Sequence, residues 1–96
     1  MKFMVTYSIH PDKRHQALQA FSQMTQADDQ TDIGEKITFI GRWHYLSGGT
    51  GIAIVETDDA KALARWAVNW NHIMDLDVKP VIDDAEARAI GKQKFG

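Results

Sequence analysis

The stretch Lys36-Ile37-Thr38-Phe39-Ile40-Gly41-Arg42-Trp43-His44-Tyr45-Leu46-Ser47-Gly48-Gly49-Thr50-Gly51-Ile52-Ala53-Ile54-Val55-Glu56-Thr57 decides the fold. β-Branched and aromatic residues dominate both of its halves, as they do on pleated, half-buried strands. Two strands are predicted, Lys36 to Leu46 and Gly51 to Thr57. Ser47-Gly48-Gly49-Thr50 turns between them, because paired glycines supply a positive φ without a Cβ penalty. On strict alternation Ile37, Phe39, Gly41, Trp43 and Tyr45 share one face, and Thr38, Ile40, Arg42 and His44 share the other. In the return strand Ile52, Ile54 and Glu56 lie opposite Ala53 and Val55.

Upstream, Lys2 to Ile9 reads as a strand with Phe3, Val5, Tyr7 and Ile9 on one side and Met4, Thr6 and Ser8 on the other. His10-Pro11-Asp12 ends it, and Pro11 suits the first turn of a helix. That helix is predicted to run to about Ala27, with Ala17, Leu18, Phe21 and Met24 at helical spacing. Gln26 to Gly34 is polar, carries Asp28, Asp29 and Asp32, shows no periodicity and reads as a surface loop. Downstream, Thr57-Asp58-Asp59 caps a helix over Asp59 to Asn71, where Leu63, Trp66, Ala67 and Trp70 form an apolar stripe. Ile73 to Ile82 is a fourth strand, with Leu76, Val78, Pro80 and Ile82 alternating with Asp75, Asp77, Lys79 and Val81. Pro80 cannot donate to a ladder and so implies an edge strand or a bulge. Asp83-Asp84-Ala85-Glu86 has the form of a capping box, opening a short helix to Ile90 with Gly91 just past its end.

The order β-α-β-β-α-β plus a C-terminal helix is α+β and ferredoxin-like. It closes as a four-stranded antiparallel sheet in the order 4-1-3-2, with both long helices on one face, in one domain over residues 1–96. The other face is expected to mix Met4, Ile40, Ala53, Val55 and Val81 with Thr6, Ser8, Arg42, His44, Asp75, Asp77 and Lys79. Such a mixture calls for a cover, and a second copy of the sheet gives a homodimeric α/β barrel. Which alternate set faces the helices stays open, because a slip of one residue exchanges the two faces.

Composition removes several function classes. The absence of cysteine excludes disulfides, thiolate metal clusters and cysteine nucleophiles. The net charge is −2 with Lys and Arg scattered, so no basic stripe serves a nucleic acid. No apolar run reaches the roughly 18 residues of a membrane span, and the first strand is too interrupted for a signal peptide. A cytoplasmic location without membrane or nucleic-acid partners is the expectation. Metal binding is not expected either. His10 and His15 miss the helical ligand spacing, and the aspartates lack the central glycine and closing glutamate of a calcium loop.

Phe3-Met4-Val5-Thr6-Tyr7, Gly41-Arg42-Trp43-His44, Gly49 to Glu56, Trp66 with Trp70, and Val78-Lys79-Pro80-Val81 together resemble a family of small bacterial proteins. This is the family called domain of unknown function 3303, of the dimeric α/β-barrel superfamily. The resemblance covers nearly the whole chain. It implies fold and dimerisation but no activity, because the family is uncharacterised. Functions of the wider superfamily, among them cofactor-free monooxygenation, haem degradation and isomerisation, reach this chain only as fold analogy.

Arg42 and His44 are two apart on one strand and point the same way. On a cavity wall they form a fixed cation beside an imidazole, a pair suited to binding an enolate or carboxylate and moving a proton. Asp75 or Asp77 is a candidate to orient His44. The bland reading is a polar network with Arg42 on an aspartate and His44 on Thr6 or Ser8. Trp43, Tyr45, Trp66, Trp70 and Tyr7, with Phe39, are candidates for an aromatic ligand wall, against the plain reading of core packing. His72 follows the second long helix and is expected to bond its last carbonyls. Some haem-degrading members of the dimeric α/β-barrel superfamily place an axial histidine on a helix near a tryptophan and an asparagine on the first strand. His72 lies near Trp70, but the first strand has no asparagine, so the resemblance implies no cofactor. Three readings follow: a dimeric protein binding a small aromatic or anionic molecule, a cofactor-free monooxygenase or isomerase, and a structural or interaction module.

Overall fold

The computed structural model describes residues 1–96. Its elements are β1 (Lys2–Ile9), α1 (Arg14–Ser22, after a 3-10 turn at Pro11–Lys13), α2 (Gln26–Ile33), β2 (Thr38–Tyr45), β3 (Thr50–Glu56), α3 (Ala60–Trp70), β4 (Met74–Val81) and α4 (Asp84–Phe95). The sheet is antiparallel with strand order β2-β3-β1-β4, the arrangement expected from the element order. Pro80 sits on edge strand β4, where a missing N–H costs nothing. No helix is long and apolar enough to cross a membrane.

The helix-facing side of the sheet carries Val5, Ala53 and Val55, which pack with Ala62, Leu63 and Trp66 of α3 and with Ile33 and Ile37. A smaller cluster of Ala17, Ile73 and Met74 joins α1 to the start of β4. The stripe read on α3 is therefore the core stripe. Asp59 caps that helix by accepting from the Ala62 N–H at 3.1 Å.

Four sequence expectations are corrected. The helix predicted to Ala27 ends at Ser22, and the loop predicted over Gln26 to Gly34 is α2. Thr25 and Asp28 form a reciprocal capping box, with Asp28 N–H on Thr25 Oγ1 at 3.2 Å and Thr25 N–H on Asp28 Oδ2 at 2.8 Å. Asp28 is thus an exposed cap residue, while Asp29 and Asp32 are half-buried and bond side chains elsewhere in the fold. The C-terminal helix passes through Gly91, which does not take a left-handed φ, and continues to Phe95. His72 is exposed, and the end of α3 is closed by the Asn71 N–H on the Ala67 carbonyl instead.

The fourth correction concerns the faces of β2. Phe39 pairs with Val55 but Gly41 pairs with Ile54, so Ile40 is an extra residue and β2 is bulged there. The bulge reverses alternation downstream. Arg42 and His44 therefore share the helix side with Ala53, Val55 and Phe39, the last of which strict alternation set opposite them. Trp43 turns outward, its ring over Gly41, whose Cβ would sit 2.2 Å from the ring edge. The outer face thus carries Met4, Thr6, Ser8, Ile52, Ile54, Trp43, Tyr45, Asp75, Asp77 and Lys79.

Candidate functional site

The bulge aims Arg42 and His44 into a cleft of about 640 Å³ between the sheet, α1 and α3. Its apolar wall includes Leu18, Phe21, Trp66, Trp70, Leu76 and Val78. Its polar groups come from Tyr7 on β1, Arg42 and His44 on β2, and Arg14 and His15 on α1.

Tyr7, Gly51 and His44 are neighbours across three strands in register. Gly51 is required by close approach: a Cβ there would lie 2.3 Å from the Tyr7 ring and 2.4 Å from its hydroxyl oxygen. The phenol can therefore cross β3 and hydrogen-bond His44 Nδ1 at 2.5 Å. Burial raises the Tyr7 pKa, against the opposing pull of Arg42. Burial lowers the His44 pKa, and the Arg42 charge lowers it further. At neutral pH the pair is a phenol and a neutral imidazole, which suits O–H donation to Nδ1 with the ring proton on Nε2. The His44 ring also stands 5.0 Å from that of Phe21.

Arg42 is sandwiched between aromatic faces, its guanidinium carbon 5.0 Å from the Phe21 centroid and 4.6 Å from that of Phe39. It donates to Asp29 of α2 at 3.3 Å. An aspartate partner was expected, but α2 supplies it. Asp75 accompanies His10 and Asp77 accompanies Lys79, so neither orients His44. Tyr7 fills the place assigned to Thr6 or Ser8.

The two tryptophans of α3 are fixed by one carboxylate. Asp32 accepts the Trp66 indole N–H at 3.1 Å and the Trp70 indole N–H at 2.9 and 3.0 Å on its two oxygens. Asn69 adds bonds to Asp32 Oδ1 and to the Asp32 carbonyl, each 3.1 Å. With their N–H groups engaged, the indoles offer the cleft their apolar surface. Of the aromatic candidates, Tyr7, Trp66 and Trp70 gather on the helix side. Trp43 and Tyr45 border the cavity while remaining 60% and 63% exposed. Sequence reasoning missed Asp29, Asp32, Phe21 and Arg14. Only the Thr25-x-x-Asp28 spacing signalled the helix that carries the first two.

A family model for a domain of unknown function, DUF3303, matches residues 1–95. The chain belongs to that family. No curated protein matches this DUF3303 chain. Among solved structures, that of SCO4226 from Streptomyces coelicolor A3(2) is similar at 24% identity with a TM-score of 0.49, covering 86% of this chain and 100% of that one.

Proposed function

We propose that this DUF3303 protein binds a small planar molecule in the cleft between its sheet and helices α1 and α3. One observation carries the reading. An apolar cavity of about 640 Å³ is built around a few convergent polar groups, Tyr7, His44 and Arg42. That volume and that mixture are those of small-molecule sites. No cofactor is part of the proposal, and His72 stands outside the lining. The test is thermal unfolding with quinols, aromatic acids and haem. A ligand at a hundred times its Kd stabilises by about 2.7 kcal/mol, a rise of roughly 10–20 °C for a domain this size. Absence of any shift across the panel would leave the structural or interaction reading standing instead.

A second reading, acid–base catalysis, is favoured by the neutral imidazole bonded to a phenol beside a guanidinium. In a cofactor-free monooxygenase or isomerase, His44 would take the proton on Nε2 from the tautomer whose Nδ1–H donates to the Tyr7 oxygen, and Arg42 would stabilise the resulting anion. Turnover of a bound ligand that is lost in His44→Gln while binding persists would select it.

The outer sheet face supports homodimerisation. Trp43 lies there 60% exposed beside the half-buried Met4, Ile52 and Ile54. A two-fold partner would cover these residues and leave the cleft on the opposite face of the sheet. Sedimentation equilibrium should give the dimer mass, and Trp43→Lys should give the monomer. A wild-type monomer at all concentrations would rule the dimer out.

A further inference from the structure

Resting on the cleft as a binding site, we infer that its ligand is an aromatic carboxylate whose acid group is held by Arg14. The chain has 13 acidic and 11 basic residues, yet no Asp or Glu lines the cleft, while Arg14, His15, Arg42 and His44 do. With no carboxylate in the lining and Arg14 as its unpaired cation, the cleft favours an anion against the sign of the whole chain.

The two arginines are not equivalent. Arg42 is neutralised by Asp29, whereas Arg14 is in none of the ion pairs of the fold. Nor is Arg14 simply waving in solvent. Its side chain lies across the β2–β3 turn over the buried Gly49, where a Cβ would fall 2.6 Å from Nε. Gly49 has a φ of 68°, so the turn geometry and the arginine's seat both depend on glycine. The turn is tied to β1 through the Ile9 N–H on the Gly49 carbonyl at 2.8 Å. The Arg14 side chain thus lies over a fixed turn, in the same lining as Tyr7 and His44.

The far wall completes the ligand's description. The indole N–H groups of Trp66 and Trp70 belong to Asp32, so that side offers no donor and suits an aromatic ring. A molecule with a flat apolar body and one carboxylate matches both ends, and a planar guanidinium fork matches a carboxylate.

Phenylacetate and phenylacetamide have nearly the same shape and differ in charge. Their Kd values for wild type and Arg14→Gln, measured by NMR titration, test the assignment. Arg14 is exposed, and unchanged melting of the variant confirms that it folds. The expectation is phenylacetate binding to wild type about tenfold more tightly or better, the scale of a charge-assisted hydrogen bond. Arg14→Gln should erase that preference and leave phenylacetamide unchanged. Equal binding of both by wild type overturns the inference but leaves the cleft a binding site. A preference that survives Arg14→Gln overturns the role of Arg14. Binding of neither overturns the inference together with the reading beneath it.

Discussion

Gly51→Val should cost about 2–3 kcal/mol, the upper end for overpacking, in a domain whose total stability is roughly 5–14 kcal/mol. A Cβ at position 51 would lie 2.3 Å from the Tyr7 ring and 2.4 Å from its hydroxyl oxygen, so the phenol must leave its place across β3. The hydrogen bond to His44 goes with it. Deletion of Ile40, by contrast, should cost about 1 kcal/mol or less, as surface changes do. With the extra residue gone, Phe39 and Gly41 follow each other opposite Val55 and Ile54, and residues 41–45 keep their partners and faces. Urea denaturation of the two variants separates the effects. A small loss in Gly51→Val would show that the close approach of Tyr7 to β3 does not shape the cleft.

Asp32→Ala on α2 should cost about 3 kcal/mol. It removes the acceptor of two indole N–H groups, one of them on the buried Trp66, and stranded donors cost about 1–3 kcal/mol each. It also loosens α2 from α3, which keep only the Asn69 bond to the Asp32 carbonyl and the packing of Ile33. At roughly 4–8 °C per kcal/mol for a domain of this size, the melting temperature should fall by about 12–24 °C. Asp32→Asn keeps one acceptor oxygen and should lose about half as much. Tryptophan fluorescence should change in both, because two of the three tryptophans lose their anionic neighbour. A drop of only a few degrees in Asp32→Ala would mean that water replaces the carboxylate at little cost.

The elements legible in the sequence are those whose period is strong. Leu63, Trp66, Ala67 and Trp70 mark α3, and the glycine turn between two apolar strands marks the hairpin. From these the strand order follows. The bulge is not legible, because Ile40 is β-branched like its neighbours and an inserted residue has no composition of its own. Gly41 beside it is the one hint, since glycine in a strand often marks such a site. Moving one residue moved the chemistry. Arg42 and His44 share a face, but strict alternation set them opposite Phe39 and left open which face met the helices.

Helix α2 was hidden for another reason. Its sequence, Gln26 to Ile33, is polar, buries only Ile33 and opens on an aspartate version of the capping box. Tertiary contacts stabilise it, through Asp29 to Arg42 and Asp32 to the tryptophans, and no local pattern announces such contacts. The candidate site was accordingly legible in its strand residues and not in their partners.

The most direct test of the cleft is the protonation of His44, followed by long-range 1H–15N NMR across pH and assigned with His44→Gln. A helix-side imidazole bonded to Tyr7 and facing Arg42 should carry its proton on Nε2 at neutral pH. It should titrate below the ordinary 6.5, and Tyr7→Phe should change both properties. A His44 that titrates at or above 6.5, indifferent to Tyr7→Phe, would show that neither the phenol nor Arg42 acts on the ring and would contradict the site.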